Sequence, residues 1–252
     1  MIGGIKYSFW VYLSFQTLVL SGQAPDQINA EIKEVVVGLE DLDLQTGDLI
    51  FFQNRIFEGV LINIGTLSHL THVAMVVKEP GDGSLWLTHA TDNSYNGTGV
   101  PVRNEAKPRN GVIMTRLQSS FISTNDQPEG FYKKIWIYRL NEKRVKRPAL
   151  DRVIDYYERN KHLKFETSYL RFLFPAYDLY FFGKDLIAFE ENDKRICSEY
   201  VHKLMIELGF PVEKYQQSNE YTPGDICYMI TPIYKAPKLF TFRDGAYRLT
   251  DY

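Results

Sequence analysis

Only two cysteines, Cys197 and Cys227, occur in 252 residues. So few in so long a chain excludes a disulfide framework, and both are expected as free thiols. No charge dominates either: 29 basic residues stand against 31 acidic ones, for a net charge of −2. That balance provides no basic face, so nucleic acid is not an expected partner. The basic run from Lys143 to Arg147, just before Pro148, reads as a solvated linker. Gly-x-Gly-x-x-Gly and phosphate-loop patterns are missing. Two cysteines and scattered histidines give no zinc spacing, so neither a cofactor nor a metal is expected.

Long apolar runs are also missing. No segment reaches the roughly 18 uninterrupted apolar residues that a membrane span requires. The nearest approach follows Lys6, where Tyr7–Leu20 is broken by Ser14, Gln16 and Thr17 and ends in Ser21-Gly22-Gln23-Ala24. This resembles a short signal peptide cut after Ala24, which implies a secreted or periplasmic protein. The alternative is an N-terminal helix on a cytoplasmic one. Residues 25–252 then form one domain, without internal repeats or low-complexity tracts.

What is present is ordinary for a globular protein: 44% hydrophobic residues, 14% aromatic and 24% charged. Compact apolar runs at Leu49–Phe52, His72–Val77, Leu85–Ala90, Val112–Arg116 and Lys134–Leu140 read as strands. Pro80-Gly81-Asp82-Gly83 is a turn signal that makes 72–90 a hairpin. Pro148 suits a helix start and opens one running from Ala149 to about Lys161. Val201, Leu204, Met205 and Leu208 recur at helical spacing, giving a helix from Arg195 to its stop at Gly209. Pro223-Gly224-Asp225 reads as a turn before one more strand. Strands first and helices after argue α+β.

Chemistry concentrates at Cys197. It falls in the first turn of the second helix, where unpaired N–H groups and the helix dipole favour thiolate over thiol. Its own N–H is placed to stabilise an oxyanion. The plain alternative is a small buried apolar residue, the common fate of free cysteine. Cys227, away from any expected helix start, reads that way. A thiolate nucleophile needs an imidazole in reach and a third group to orient the imidazole. His72 opens a buried strand and His89 ends the next strand of the hairpin. Neighbouring strands lie about 4.8 Å apart, so the two histidines supply base and orienter. His69 lies in a loop, and His202, five residues after Cys197, points round the helix.

These signals fall in a recognisable order: Gly47-Asp48-Leu49-Ile50-Phe51, Ser68-His69-Leu70-Thr71-His72-Val73, a strand ending at His89, Tyr177-Asp178, and Cys197-Ser198-Glu199. The order resembles the permuted NlpC/P60 superfamily, particularly its YiiX/YebB-like branch, which includes relatives of lecithin:retinol acyltransferase. Tyr221-Thr222-Pro223-Gly224-Asp225 also resembles the segment that follows the cysteine helix there. The resemblance covers roughly residues 44–230 and implies a circularly permuted papain-like fold, an antiparallel sheet packed against helices. It implies Cys197 as nucleophile, His72 as base and His89 in the third position, which is often glutamate in that branch. Asp48, Tyr177, Asp178, Ser198 and Glu199 match motif positions expected to line a substrate site. The stretches 91–110 and 165–182 fit the pattern less well.

The implied reaction is attack of a Cys197 thiolate, paired with a His72 imidazolium, on an acyl carbon, with an acyl-enzyme intermediate. The first substrate expectation is an amide in a cell-wall-type peptide, with cell-wall or membrane-surface association. The second is a lipid amide or ester, hydrolysed or transferred. Phe172, Phe174, Tyr180, Phe181 and Phe182 would then line an acyl pocket, or else simply pack a core. A binding module without catalysis, on the same fold, is the third reading.

Overall fold

The computed structural model describes residues 37–54, 68–92, 102–105, 107–121, 132–166, 193–212 and 221–250. All of them lie in one compact unit, Lys33–Tyr252. The expectations for residues 1–24, for Tyr177 and Asp178, and for the aromatics from Phe172 to Phe182 fall outside the described residues.

The apolar runs pair as strands. They are β1 (Leu49–Asn54), β2 (His72–Lys78), β3 (Leu85–Thr91), β4 (Gly111–Arg116), β5 (Tyr132–Tyr138), β8 (Lys238–Arg243) and β9 (Ala246–Thr250). Together they form a seven-stranded sheet in the order β4-β3-β2-β1-β5-β8-β9, every neighbouring pair antiparallel. Two short strands, β6 (Lys164–Phe165) and β7 (Lys194–Arg195), pair in parallel as a separate ribbon. Three helices accompany them among the described residues: α1 (Leu150–Asn160), α2 (Cys197–Glu207) and α3 (Pro223–Ile230). None is long and apolar enough to cross a membrane. The class is α+β with a mostly antiparallel sheet.

The central strands read as unbroken apolar runs because both faces of the sheet are covered. Phe51, Val73, Met75, Val112 and Met114 share one core with residues of the three helices, among them Tyr157, Val201, Leu204 and Ile226. Ile50, Phe52, Ala74, Val76, Leu87, Ile135 and Ile137 form the other core, with Leu39, Leu42, Leu44, Leu117 and Phe121 from flanking segments. α2 places Cys197, Tyr200, Val201, Leu204, Met205 and Leu208 in the helix-side core, the three-and-four spacing of an amphipathic face. It stops at Gly209, whose φ of +80° an L side chain resists. There the Phe210 N–H donates to the Met205 carbonyl at 3.0 Å and the Gly209 N–H to that of Ile206 at 2.9 Å, a Schellman end.

Two expectations need correction. Pro223-Gly224-Asp225 begins α3 rather than a strand. Thr222 caps it: its hydroxyl accepts from the Asp225 N–H at 3.2 Å, and the Asp225 carboxylate accepts from the Thr222 N–H at 2.8 Å. Proline in the first turn and a reciprocal capping box outweigh the apolar look of Ile226–Ile230. The Lys143–Arg147 run is not wholly solvated either. Arg147 is half-buried, and its Nη1 donates to the Asp48 carboxylate at 2.9 Å and to the Thr46 carbonyl at 2.8 Å.

Candidate active site

The site assembles where β2 begins. Thr71 fixes that beginning: its N–H and its hydroxyl both donate to the Phe52 carbonyl, at 2.8 and 3.1 Å, and its hydroxyl accepts from the Asn54 N–H at 2.9 Å. His72 follows directly, opposite Phe52 in the ladder. The Phe52 ring lies against the His72 ring, centroids 5.4 Å apart, and against Tyr132 at 4.4 Å. His72 Nε2 meets His89 Nδ1 at 2.7 Å, so the hairpin joins the two histidines anticipated from sequence. His89 Nε2 lies 3.3 Å from Thr115 Oγ1, and Thr115 Oγ1 lies 2.7 Å from Ser120 Oγ. Ser120 Oγ donates to the Arg116 carbonyl at 2.9 Å.

Cys197 is the first residue of α2. The residue before it, Ile196, has no side chain able to cap, so the first-turn N–H groups are left to the sulfur. Burial pushes the Cys197 thiol up to about 11. Acting the other way are the N–H groups of Val73, Ser198 and Cys197 itself, and the Ser198 hydroxyl. The β2–β3 ladder runs from Lys78↔Leu85 to Met75↔Thr88, so Val73 lies beyond its end. The sulfur thus sits beside the residue that follows His72. Among the described residues no hydrogen bond joins the sulfur to His72, and His72 Nδ1 has no partner there. The helix is tied to the hairpin one turn further on, where Tyr200 OH and Thr88 Oγ1 are 2.7 Å apart.

The remaining expected residues occupy varied places. Ser198 is buried and its hydroxyl makes no hydrogen bond of ordinary geometry. Glu199 is buried between Arg195, 3.5 Å away, and Lys203, 3.1 Å away. Asp48 is fully buried at the end of β1 remote from Phe52 and His72. It accepts from the N–H groups of Gln45 and Leu140 and from Arg147. His202 is buried against Tyr221, and His69 is exposed. Cys227 is a free thiol 3.1 Å from the Tyr138 hydroxyl, and Cys197 is also free. Sequence reasoning missed Thr115, Ser120, the Val73 N–H and Tyr132. Burial raises the Tyr132 phenol, with Tyr247 and then Cys197 adding to the shift, so this ring lies near the sulfur. No group of three or more metal-ligating side chains gathers among the described residues.

Burial holds the His72 imidazole down to about 3. It also holds His89 well below its ordinary value, and His72 adds to that shift. An unfolded imidazole takes up its proton near pH 6.5, whereas the folded site refuses one until about pH 3. The unfolded state therefore binds more protons in that window, and stability must fall as pH drops through it. The His72 shift alone corresponds to roughly 4–5 kcal/mol. Urea unfolding at pH 7 and pH 4.5 is expected to show the roughly 2–3 kcal/mol of it that falls between about pH 6.5 and pH 4.5. A His72→Gln protein should show a shallower slope, and parallel slopes for the two proteins would contradict the assignment.

No family model matches the chain, and no curated protein matches it. Among solved structures it is similar to metalloprotein yiiX (DUF1105) from Escherichia coli O157:H7. The identity is 20%, covering 68% of this chain and 71% of that one, with a TM-score of 0.36.

Proposed function

We propose that this protein is a cysteine hydrolase or acyltransferase on a circularly permuted papain-like, NlpC/P60 core. One observation carries the reading. A thiol at an uncapped helix start lies beside the first residues of a strand whose histidine is already bonded to a second histidine.

His72 Nδ1 takes the thiol proton, and the sulfur attacks an acyl carbon. Burial disfavours both a resting thiolate and a resting imidazolium. Proton transfer therefore accompanies attack rather than preceding it. The Cys197 N–H and the buried Ser198 hydroxyl, which lies against the sulfur, supply the oxyanion donors. His72 then protonates the leaving group, and water or an acyl acceptor resolves the acyl-enzyme. A γ-D-glutamyl peptide amide is the first substrate class and a lipid amide or ester the second. The protein acts outside the cytoplasm at a cell wall or membrane surface.

A second reading, a binding module without catalysis, is favoured by the buried sulfur and the missing sulfur–imidazole bond. Iodoacetamide separates the two. Cys197 is 5% exposed while Cys227 is only partly covered, so passive accessibility makes Cys227 the faster thiol. Alkylation of Cys197 ahead of Cys227 near neutral pH is the expected result, because only an activated sulfur reverses that order. If Cys227 reacts first, the binding module is the better description.

A further inference from the structure

We propose that Thr115 and Ser120 are positioning residues that fix which nitrogen of each histidine carries the proton, leaving His72 Nδ1 bare as the base. The inference rests on the reading of Cys197 and His72 as nucleophile and base, and concerns how that base is kept in one tautomer.

The direction of the chain follows from counting hydrogens. Ser120 has one hydroxyl hydrogen, and it goes to the Arg116 carbonyl, which can only accept. In the 2.7 Å contact between the two hydroxyls, Ser120 must therefore accept and Thr115 donate. Thr115 has then spent its own hydrogen, so toward His89 it can only accept, and His89 Nε2 must carry a proton. A neutral imidazole protonated at Nε2 has a lone pair at Nδ1. His89 Nδ1 thus accepts across the 2.7 Å contact, and His72 Nε2 donates. His72, neutral and protonated at Nε2, is left with its lone pair on Nδ1. Each step is settled by the one before, back to a backbone carbonyl that cannot change its role.

A carboxylate in the third position would need no such support, because it accepts in every state. Histidine accepts only while its other nitrogen is protonated, and the two hydroxyls enforce that condition. All four side chains are buried, with Thr115 only 1% exposed, so water is poorly placed to substitute for a missing member.

The test is the tautomer itself, read by ¹⁵N–¹H histidine NMR on the full chain, with resonances assigned through His72→Gln and His89→Gln. Wild type is expected to show both rings protonated at Nε2. Ser120→Ala frees the Thr115 hydrogen to point at His89, and Thr115→Val removes the acceptor. Both should admit Nδ1–H forms of His89 and His72 and slow Cys197 alkylation about tenfold or more, as a wrong tautomer does in related chemistry. Thr115→Ser, which keeps the hydroxyl, should restore wild-type spectra and rate. Wild-type His89 protonated at Nδ1 would overturn the proposal, as would unchanged tautomers in both Ser120→Ala and Thr115→Val. The spectra do not depend on sulfur reactivity. An inert Cys197 with variant-dependent tautomers would sink the hydrolase reading and support the proton chain.

Discussion

A Cys197→Ala protein is expected to lose turnover by about 10⁴-fold or more, because no other group replaces a covalent nucleophile. The measurement is a panel of γ-D-glutamyl peptides and acyl esters assayed with wild type and variant side by side. Alanine suits the position physically. The sulfur is packed in the helix-side core with Val73 and Val201, and an alanine is tolerated in a first helical turn. Loss of the side chain should cost about 1 kcal/mol of stability, from a small cavity. The variant therefore remains folded, and its inactivity reports chemistry rather than collapse. A Cys197→Ala protein that kept the wild-type rate on any panel substrate would remove Cys197 from the mechanism, whatever Cys227 does.

Asp48→Ala should produce the largest loss of stability of any single change considered, about 3–5 kcal/mol. Three donors converge on this carboxylate: the Gln45 N–H at 3.0 Å, the Leu140 N–H at 2.9 Å and Arg147 Nη1 at 2.9 Å. The carboxylate is completely buried, while Arg147 keeps about a fifth of its side-chain surface, 20%, and a second partner in Glu142 at 2.8 Å. Removing Asp48 strands two backbone donors and leaves the half-buried guanidinium without its buried counter-charge, held only by the Thr46 carbonyl and the outer Glu142. In a chain of this size the loss corresponds to a drop in Tm of roughly 10 °C. Asp48→Asn, which keeps an acceptor oxygen, should lose less than half as much. Equal stability of wild type and alanine variant in urea titrations would show that the convergence adds nothing to the fold.

Much of the fold could be read from the chain because its strands announce themselves. Leu49–Phe52, His72–Val77 and Leu85–Ala90 are short apolar runs bounded by polar or turn residues, and each became a central strand. β5 lies two residues earlier than expected, at Tyr132–Tyr138, because Leu140 pairs instead with Tyr234 in an isolated bridge. The error at Pro223 has a local cause: the same tripeptide serves a turn or a helix start, and Thr222 decides between them. The His72–His89 pair was legible because a hairpin fixes neighbours two strand-lengths apart in sequence. Thr115 and Ser120 were not, since nothing in their own segment distinguishes them from ordinary strand and turn hydroxyls. They acquire meaning only when Leu87 is set opposite Thr115 and the next turn of chain folds back. Asp48 illustrates the reverse case. Its motif position implied a place in the substrate site, yet the structure seats it among the donors that join β1 to the segment before α1.

The contact between Thr88 and Tyr200 gives the site a mechanical character. Thr88 is the immediate neighbour of His89, and Tyr200 stands three residues beyond Cys197. One buried bridge thus couples the element bearing the sulfur to the element bearing the imidazoles, next to His89 on one side and within a turn of Cys197 on the other. Thermal excursions of the two are then shared rather than independent. On the proposed hydrolase reading, surrounding loops can lengthen or change sequence without altering the spacing of the sulfur and the imidazoles, so such a scaffold is free to acquire new specificities while that pair stays in register.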